Sequence, residues 1–158
     1  MRVNKNWLFI ILLQILLIAS CAREKGYQLY YPLKNDTWQR FNILKFEIPV
    51  SSEKVNMDVY FFAEVTKGYP FDNLNFNMVM NTPSGEERIN TFQIRVRSGS
   101  GAFEGNFRGD TCRYELSLKR DLYISRKGVL SVEIENLNPR IETPGISGVG
   151  IRLVPSGK

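Results

Sequence analysis

The segment Val55-Asn56-Met57-Asp58-Val59-Tyr60-Phe61-Phe62-Ala63-Glu64-Val65-Thr66 decides the fold. Its odd positions are all apolar: Val55, Met57, Val59, Phe61, Ala63 and Val65. Its even positions carry Asn56, Asp58, Tyr60, Phe62, Glu64 and Thr66. Side chains of an extended chain alternate between the two faces of a sheet, so a period of two marks a strand with one dry face. The same period recurs in Phe46-Ile48-Val50, Leu74-Phe76-Met78-Met80, Phe92-Ile94-Val96, Cys112-Tyr114-Leu116-Leu118, Leu130-Val132-Ile134 and Val149-Ile151-Leu153. Turn formers separate these runs: Tyr69-Pro70, Thr82-Pro83-Ser84-Gly85, Lys127-Gly128, Asn138-Pro139 and Pro144-Gly145. No window beyond residue 20 holds a helical period, and Tyr123–Lys127 offers room for one short turn at most. The expected fold is all-β, an antiparallel β-sandwich or jelly roll of seven to eight strands, with residues 27–158 as a single domain.

Composition narrows the chemistry. The chain has 158 residues, of which 43% are hydrophobic and 23% charged, values of an ordinary globular protein. It contains no histidine. That removes Ser-His-Asp and Cys-His nucleophile pairs and every zinc site that needs imidazole. Two cysteines are too few for a four-thiolate metal centre within one chain. Glu133 and Glu135 share one strand face and Glu86-Glu87 adjoin a turn, yet the sequence reveals for neither pair the partner group or cleft that a glycosidase requires. The expectation is no enzyme, with no catalytic residue, no metal and no cofactor.

The N-terminus reads as a targeting device. Arg2 and Lys5 precede an apolar stretch, Trp7 to Ile18, interrupted only by Gln14. A membrane-spanning helix needs about 20 apolar residues, so this stretch fits the core of a secretory signal instead. Ile18-Ala19-Ser20-Cys21 then resembles the lipobox of bacterial lipoproteins. That resemblance implies removal of residues 1–20, acylation of Cys21, and attachment to a membrane through its acyl chains, with residues 21–26 as tether. No aspartate follows Cys21 and no acidic run follows it either, a pattern similar to lipoproteins of the outer membrane that face the periplasm. Loss of Arg2 and Lys5 takes the net charge from +5 to +3. With Cys21 acylated, Cys112 has no partner in the chain, so it is either a small buried hydrophobe or paired with another protein, and its place on an apolar phase favours burial.

Gly68-Tyr69-Pro70-Phe71-Asp72-Asn73-Leu74, followed a strand later by Thr82-Pro83-Ser84-Gly85, resembles the signature of the GldH-type gliding-motility lipoproteins. Val132-Glu133-Ile134-Glu135 and Ile146-Ser147-Gly148-Val149-Gly150-Ile151-Arg152-Leu153 are similar to that family's closing strands, and Trp38 stands where members often carry tryptophan. Phe103 and Phe107 replace tryptophans common in the family, and Leu137-Asn138-Pro139-Arg140 replaces a Met-Arg pair. The resemblance implies an accessory envelope protein of Bacteroidetes gliding, linked to type IX secretion, that acts through other envelope or motility proteins.

Three groups of residues stand out as partner-binding candidates. Tyr69 and Phe71 sit in the Gly68–Leu74 corner, where turn chemistry alone accounts for every residue as a tight strand connection and a displayed partner-binding surface is the alternative. Phe103 and Phe107 interrupt a glycine-containing loop, Ser98 to Asp110, as candidate anchors. Arg95, Arg97, Arg113 and Lys119 fall on outward strand phases, giving an expected basic sheet surface for an acidic partner or anionic headgroups. Nucleic acid is not an expected target in the cell envelope. A glycan-binding alternative rests on Trp38, Tyr60 and Phe62 as an outward aromatic platform, against which Tyr60 and Phe62 are expected to be covered by a neighbouring segment.

Overall fold

The computed structural model describes residues 26–157. The signal segment and Cys21 lie outside the described residues. Eleven strands follow one another: β1 Tyr27–Pro32, β2 Thr37–Gln39, β3 Leu44–Val50, β4 Val55–Thr66, β5 Asn73–Asn81 and β6 Glu87–Arg95. After these come β7 Phe107–Arg108, β8 Thr111–Ile124, β9 Gly128–Asn136, β10 Glu142–Pro144 and β11 Ile146–Pro155. Every pairing is antiparallel. One sheet has the order β1-β11-β4-β8-β7, a second β3-β9-β5-β6, and β10-β2 form a short ribbon.

The alternation in β4 does what the period demands. Met57, Val59, Phe61, Ala63 and Val65 are all fully buried. Across the sandwich, Phe61 meets Phe76 of β5 with ring centroids 4.2 Å apart, joining the two sheets at the centre of one continuous core. Burying one such side chain stabilises the fold by about 1.5–3 kcal/mol. Cys112 lies in this core as a free thiol.

The strand count exceeds the expected seven to eight because four elements carry no alternating pattern. β1 is exposed along almost its whole length and is held by six backbone pairs with β11. β2, β7 and β10 have two or three residues each, too few for any period. Tyr123 and Ile124 end β8, so the helical turn allowed there is absent; a 3-10 turn stands instead at Lys34–Asp36.

The strands give the domain two ends. Gly26, Asn56, Asp121 and Ser156 mark the end where the chain enters, because β1 starts opposite Leu153 and Ser156 N–H bonds Asn56 O at 2.9 Å. At this end Asp58 Oδ1 accepts from Asp121 N–H at 2.8 Å and from the Ser156 hydroxyl at 2.6 Å. These bonds, the Asp121 backbone one first, hold its carboxyl below the usual carboxylate range. They also fix the β8 register shift opposite Met57 and Val59, where Asp121 takes a φ of 54°. The opposite end holds Thr66, Tyr69, Asn73, Arg95 and Asn136. Counted along the 12 residues of β4, the two ends are about 36 Å apart at 3.3 Å per residue.

A buried polar network closes that far end. The Tyr69 hydroxyl donates to Asn73 O at 2.8 Å and accepts from Asn138 Nδ2 at 2.8 Å. Asn138 Oδ1 accepts from Asn75 N–H at 3.1 Å, and Asn138 N–H reaches Asn136 Oδ1 at 3.0 Å. Asn136 Nδ2 in turn donates to Trp38 O at 3.1 Å and to the Thr143 hydroxyl at 2.8 Å. The β2–β10 ribbon, the end of β9 and the Tyr69–Asn73 turn are thereby joined through fully buried side chains. Burial raises the Tyr69 hydroxyl pKa, so it stays a neutral donor. Gly145, at φ 83°, lies directly on the Tyr69 backbone, where a Cβ would overlap it.

Tyr69→Phe should therefore cost about 1–3 kcal/mol in urea unfolding followed through the buried Trp38, because two buried partners lose their bond. Gly145→Ala should cost more, since both the space and the φ are wrong. The Asp58 contribution has the opposite exposure to conditions. Its depressed carboxyl stabilises the fold above the ordinary carboxylate range and is lost as pH falls through and below that range. Asp58→Asn should flatten the acid limb of a plot of unfolding midpoint against pH.

Candidate functional site

Six of the eight partner-binding candidates meet at the far end, held together by Arg97. The Arg97 guanidinium lies 3.8 Å over the Phe103 ring. Its Nη2 donates to Tyr69 O at 2.8 Å and its Nη1 to Gly101 O at 3.0 Å. One side chain so ties the end of β6, the Tyr69 corner and the loop between β6 and β7. Phe103 packs edge-on against Phe107 at 4.9 Å, and Lys67 stands 5.6 Å over Phe107. Tyr69 meets Phe71 edge-on at 5.7 Å, with Arg140 5.6 Å over Phe71. Arg95, 70% exposed, pairs with Glu104 at 3.7 Å on the rim.

Two expectations change here. Tyr69 is wholly buried, so it anchors the corner from within and does not display itself. Arg97 is half-buried with Nη1 and Nη2 each donating to a backbone carbonyl, so its side chain is part of the loop's construction. Phe71, Phe103 and Phe107 are half-buried, each beside a cation. The loop's form is set from below as well. Tyr114 donates its hydroxyl to Val96 O at 2.9 Å, and burial followed by the neighbouring Cys112 thiol pushes its pKa up to about 12.

Arg113 and Lys119 lie elsewhere. Arg95 and Arg97 follow the edge strand of the four-stranded sheet, whereas Arg113 and Lys119 belong to β8 of the five-stranded sheet. The outer surfaces of a sandwich point in opposite directions, so the expected single basic surface of four residues does not form. Lys119 is half-buried opposite Val59, at the register shift. Arg113 covers Phe62 at 3.5 Å and donates to Gln28 and Glu115.

That covering explains an aromatic on an outward phase. Phe62 points outward yet is fully buried, because Tyr30 stacks parallel to it at 6.1 Å and Arg113 closes it from above. Gly148 and Gly150 of β11 leave the floor on which the Tyr30 and Phe62 rings lie; a Cβ at either position would enter a ring. Arg152 lies 4.4 Å over Tyr60 and pairs with Glu115. Trp38 is likewise buried, with its indole N–H on Asn42 O at 3.3 Å. The aromatic platform for a glycan therefore does not assemble: two of its three rings are internal. The Gly148–Arg152 stretch carried the signal for this layer, since two glycines beside an arginine on one strand phase leave room for rings from neighbouring strands.

Carboxylates show no catalytic pairing among the described residues. A cleft of about 970 Å³ at the chain-entry end is lined by Lys54, Asp58, Arg120 and Asp121, and the Asp58 carboxylate there is already occupied by Asp121 N–H and Ser156. Glu133 is 3.9 Å from Lys45 on the outer surface of β9. Among the described residues no group of three or more acids and cysteines converges in a way that would hold a metal.

Among solved structures, one of infectious bursal disease virus superposes with a TM-score of 0.39 at 9% identity, covering 86% of this chain and 33% of that one. The chain thus spans about a third of that viral chain's length. The gliding motility lipoprotein GldH of Flavobacterium johnsoniae is 26% identical over 151 residues, covering 91% of this chain and 93% of the relative. A GldH homolog of Christiangramia forsetii is 24% identical over 156 residues, covering 94% of each. The family model described as GldH lipoprotein matches residues 25–153, ending within β11, and the chain belongs to the GldH lipoprotein family.

Proposed function

We propose that the protein is a non-enzymatic, lipid-anchored accessory component of the gliding-motility machinery, linked to type IX secretion, that docks another envelope protein through its far end. The observation that carries this reading is the Arg97-clamped cluster of Phe71, Phe103 and Phe107, ringed by Lys67, Arg95 and Arg140. Aromatic rings held rigid beside guanidinium groups are the composition of binding hot spots, since little side-chain entropy remains to be lost on association. The cluster also lies about 36 Å from the end where the chain enters, at 3.3 Å per residue of β4. From Cys21 to Gly26 the tether reaches at most about 18 Å. Docking at the far end leaves the anchor unobstructed, on the outer membrane and facing the periplasm. The net charge of the rim selects an acidic partner and speeds encounter with it.

Two experiments test this. Cys21→Ala should abolish incorporation of an alkyne fatty acid and leave an uncut precursor; continued labelling in that variant would remove the anchor from the reading. Lys67→Glu with Arg140→Glu should leave expression and lipid labelling unchanged, because exposed charges contribute within about ±0.5 kcal/mol to folding. In place of the native copy, the same pair should abolish spreading of cells over agar. It should also abolish co-purification of the partner, whose retention by the unmodified protein should weaken as salt rises. Normal spreading in the double variant would reject the far end as the docking surface.

A further inference from the structure

The four-stranded sheet ends on a strand whose outer edge no other strand among the described residues covers. β6 pairs with β5 through nine consecutive residues without a register shift, and no strand lies on its other side. The bridge between Arg97 and Phe103 begins only beyond its last residue. Natural sheets blunt such edges with charged side chains, lysine above all, with proline, with bulges or with very short strands. The other edges here follow that rule: β1 ends in Pro32, β3 contains Lys45 and Pro49, and β7 has two residues. β6, Glu-Arg-Ile-Asn-Thr-Phe-Gln-Ile-Arg, has no proline, lysine or bulge, and its charges, Glu87, Arg88 and Arg95, stand at its two ends with six uncharged residues between them.

Its unpaired groups can be assigned. Thr82 N–H bonds Glu86 O at 2.9 Å and Val96 N–H bonds Asp72 O at 2.7 Å, so even-numbered backbone groups turn toward β5. Backbone direction alternates along a strand, and Glu87, Ile89, Thr91, Gln93 and Arg95 present their N–H and C=O groups to the open side. The side chains of these five are all exposed, Ile89 to 61%.

We propose that β6 is a homodimerisation edge, pairing antiparallel with β6 of a second copy about a two-fold axis through Thr91. An antiparallel register that overlaps all nine residues is centred on Thr91, and the sequence is complementary to itself in that register. Glu87 falls opposite Arg95 of the second copy at both ends of the pair. Ile89 falls opposite Gln93, and Thr91 opposite Thr91. Opposite charges and Thr–Thr pairs across an antiparallel ladder are favourable, whereas like charges there are unfavourable. The five outward residues of each copy would satisfy one another's donors and acceptors. Strand addition buries less area than a stable soluble dimer usually needs, so confinement of both copies to one membrane supplies the concentration. The pairing uses no residue of the docking reading except the rim Arg95, and it stands whether or not the far end binds a partner.

The test uses the full chain in its own membrane. Thr91→Cys should form a reducible homodimer on mild oxidation, since directly opposed hydrogen-bonded residues sit about 5.5 Å apart at Cα, within disulfide reach. Ser84→Cys, at the hairpin tip, should give at least several-fold less. In the Thr91→Cys background, Glu87→Arg or Arg95→Glu alone should lower the yield several-fold by placing like charges opposite. The two reversals together should restore it. Absence of the Thr91→Cys dimer, equal cross-linking in Ser84→Cys, or no restoration in the double reversal overturns the proposal. So does a disulfide adduct of the Thr91→Cys variant to a different protein in place of the homodimer.

Discussion

The Tyr69 hydroxyl is the point on which the far end of this fold depends. It accepts one bond and donates another in the interior, and both partners, Asn138 Nδ2 and Asn73 O, belong to segments that apolar burial alone does not position. An unpaired amide or carbonyl in that place would cost more than the bond itself contributes, so the loops are held by the penalty of leaving. Through Asn136 the same network carries to Trp38 O and Thr143, which seats the β2–β10 ribbon over the end of the sandwich. Apolar contact would leave the ribbon free to slide. The amide pairs give it one position.

Arg97 builds outward from that base. It bonds the carbonyl of Tyr69 itself, so the loop carrying Phe103 inherits the position of the buried corner. A guanidinium suits the task because its planar fork can serve two carbonyls while its face stacks on a ring. A lysine's compact ammonium has no planar face to stack on the ring while serving two separated carbonyls. The guanidinium that makes the segment look like a basic binding surface is here held against two carbonyls and a ring, and its neighbours Lys67, Arg95 and Arg140 face solvent.

Much of the fold was legible because alternation and turn chemistry are local. Phe61 and its odd-numbered neighbours announce a buried face, and Pro83-Ser84-Gly85 announces the hairpin that joins β5 to β6. What the sequence hid is of another kind. β1 has no dry face, so only its backbone pairing with β11 makes it a strand. Phe62 is covered, as expected, but which residues cover it, Tyr30 and Arg113, is set by two strands distant in the chain. Arg95 and Arg113 look equivalent on outward phases, and only the assignment of their strands to different sheets separates them. Phase is written in the chain; which sheet a strand joins is decided by pairing over long separations.

The antiparallel pairing proposed for β6 also constrains how the protein meets its membrane. A two-fold axis through Thr91, perpendicular to the sheet, places the chain-entry ends of the two copies at opposite extremes of the joined sheet. The five links from Cys21 to Gly26 reach at most about 18 Å, so both proposed anchors enter one bilayer only when the strands lie along its plane. The two-fold axis then runs along the membrane normal, as the symmetry of a dimer on a single surface requires. In that arrangement the far ends, with Phe71, Phe103 and Phe107, point sideways in opposite directions rather than away from the membrane. The surface each offers is accordingly one that meets neighbours embedded in, or anchored to, the same layer.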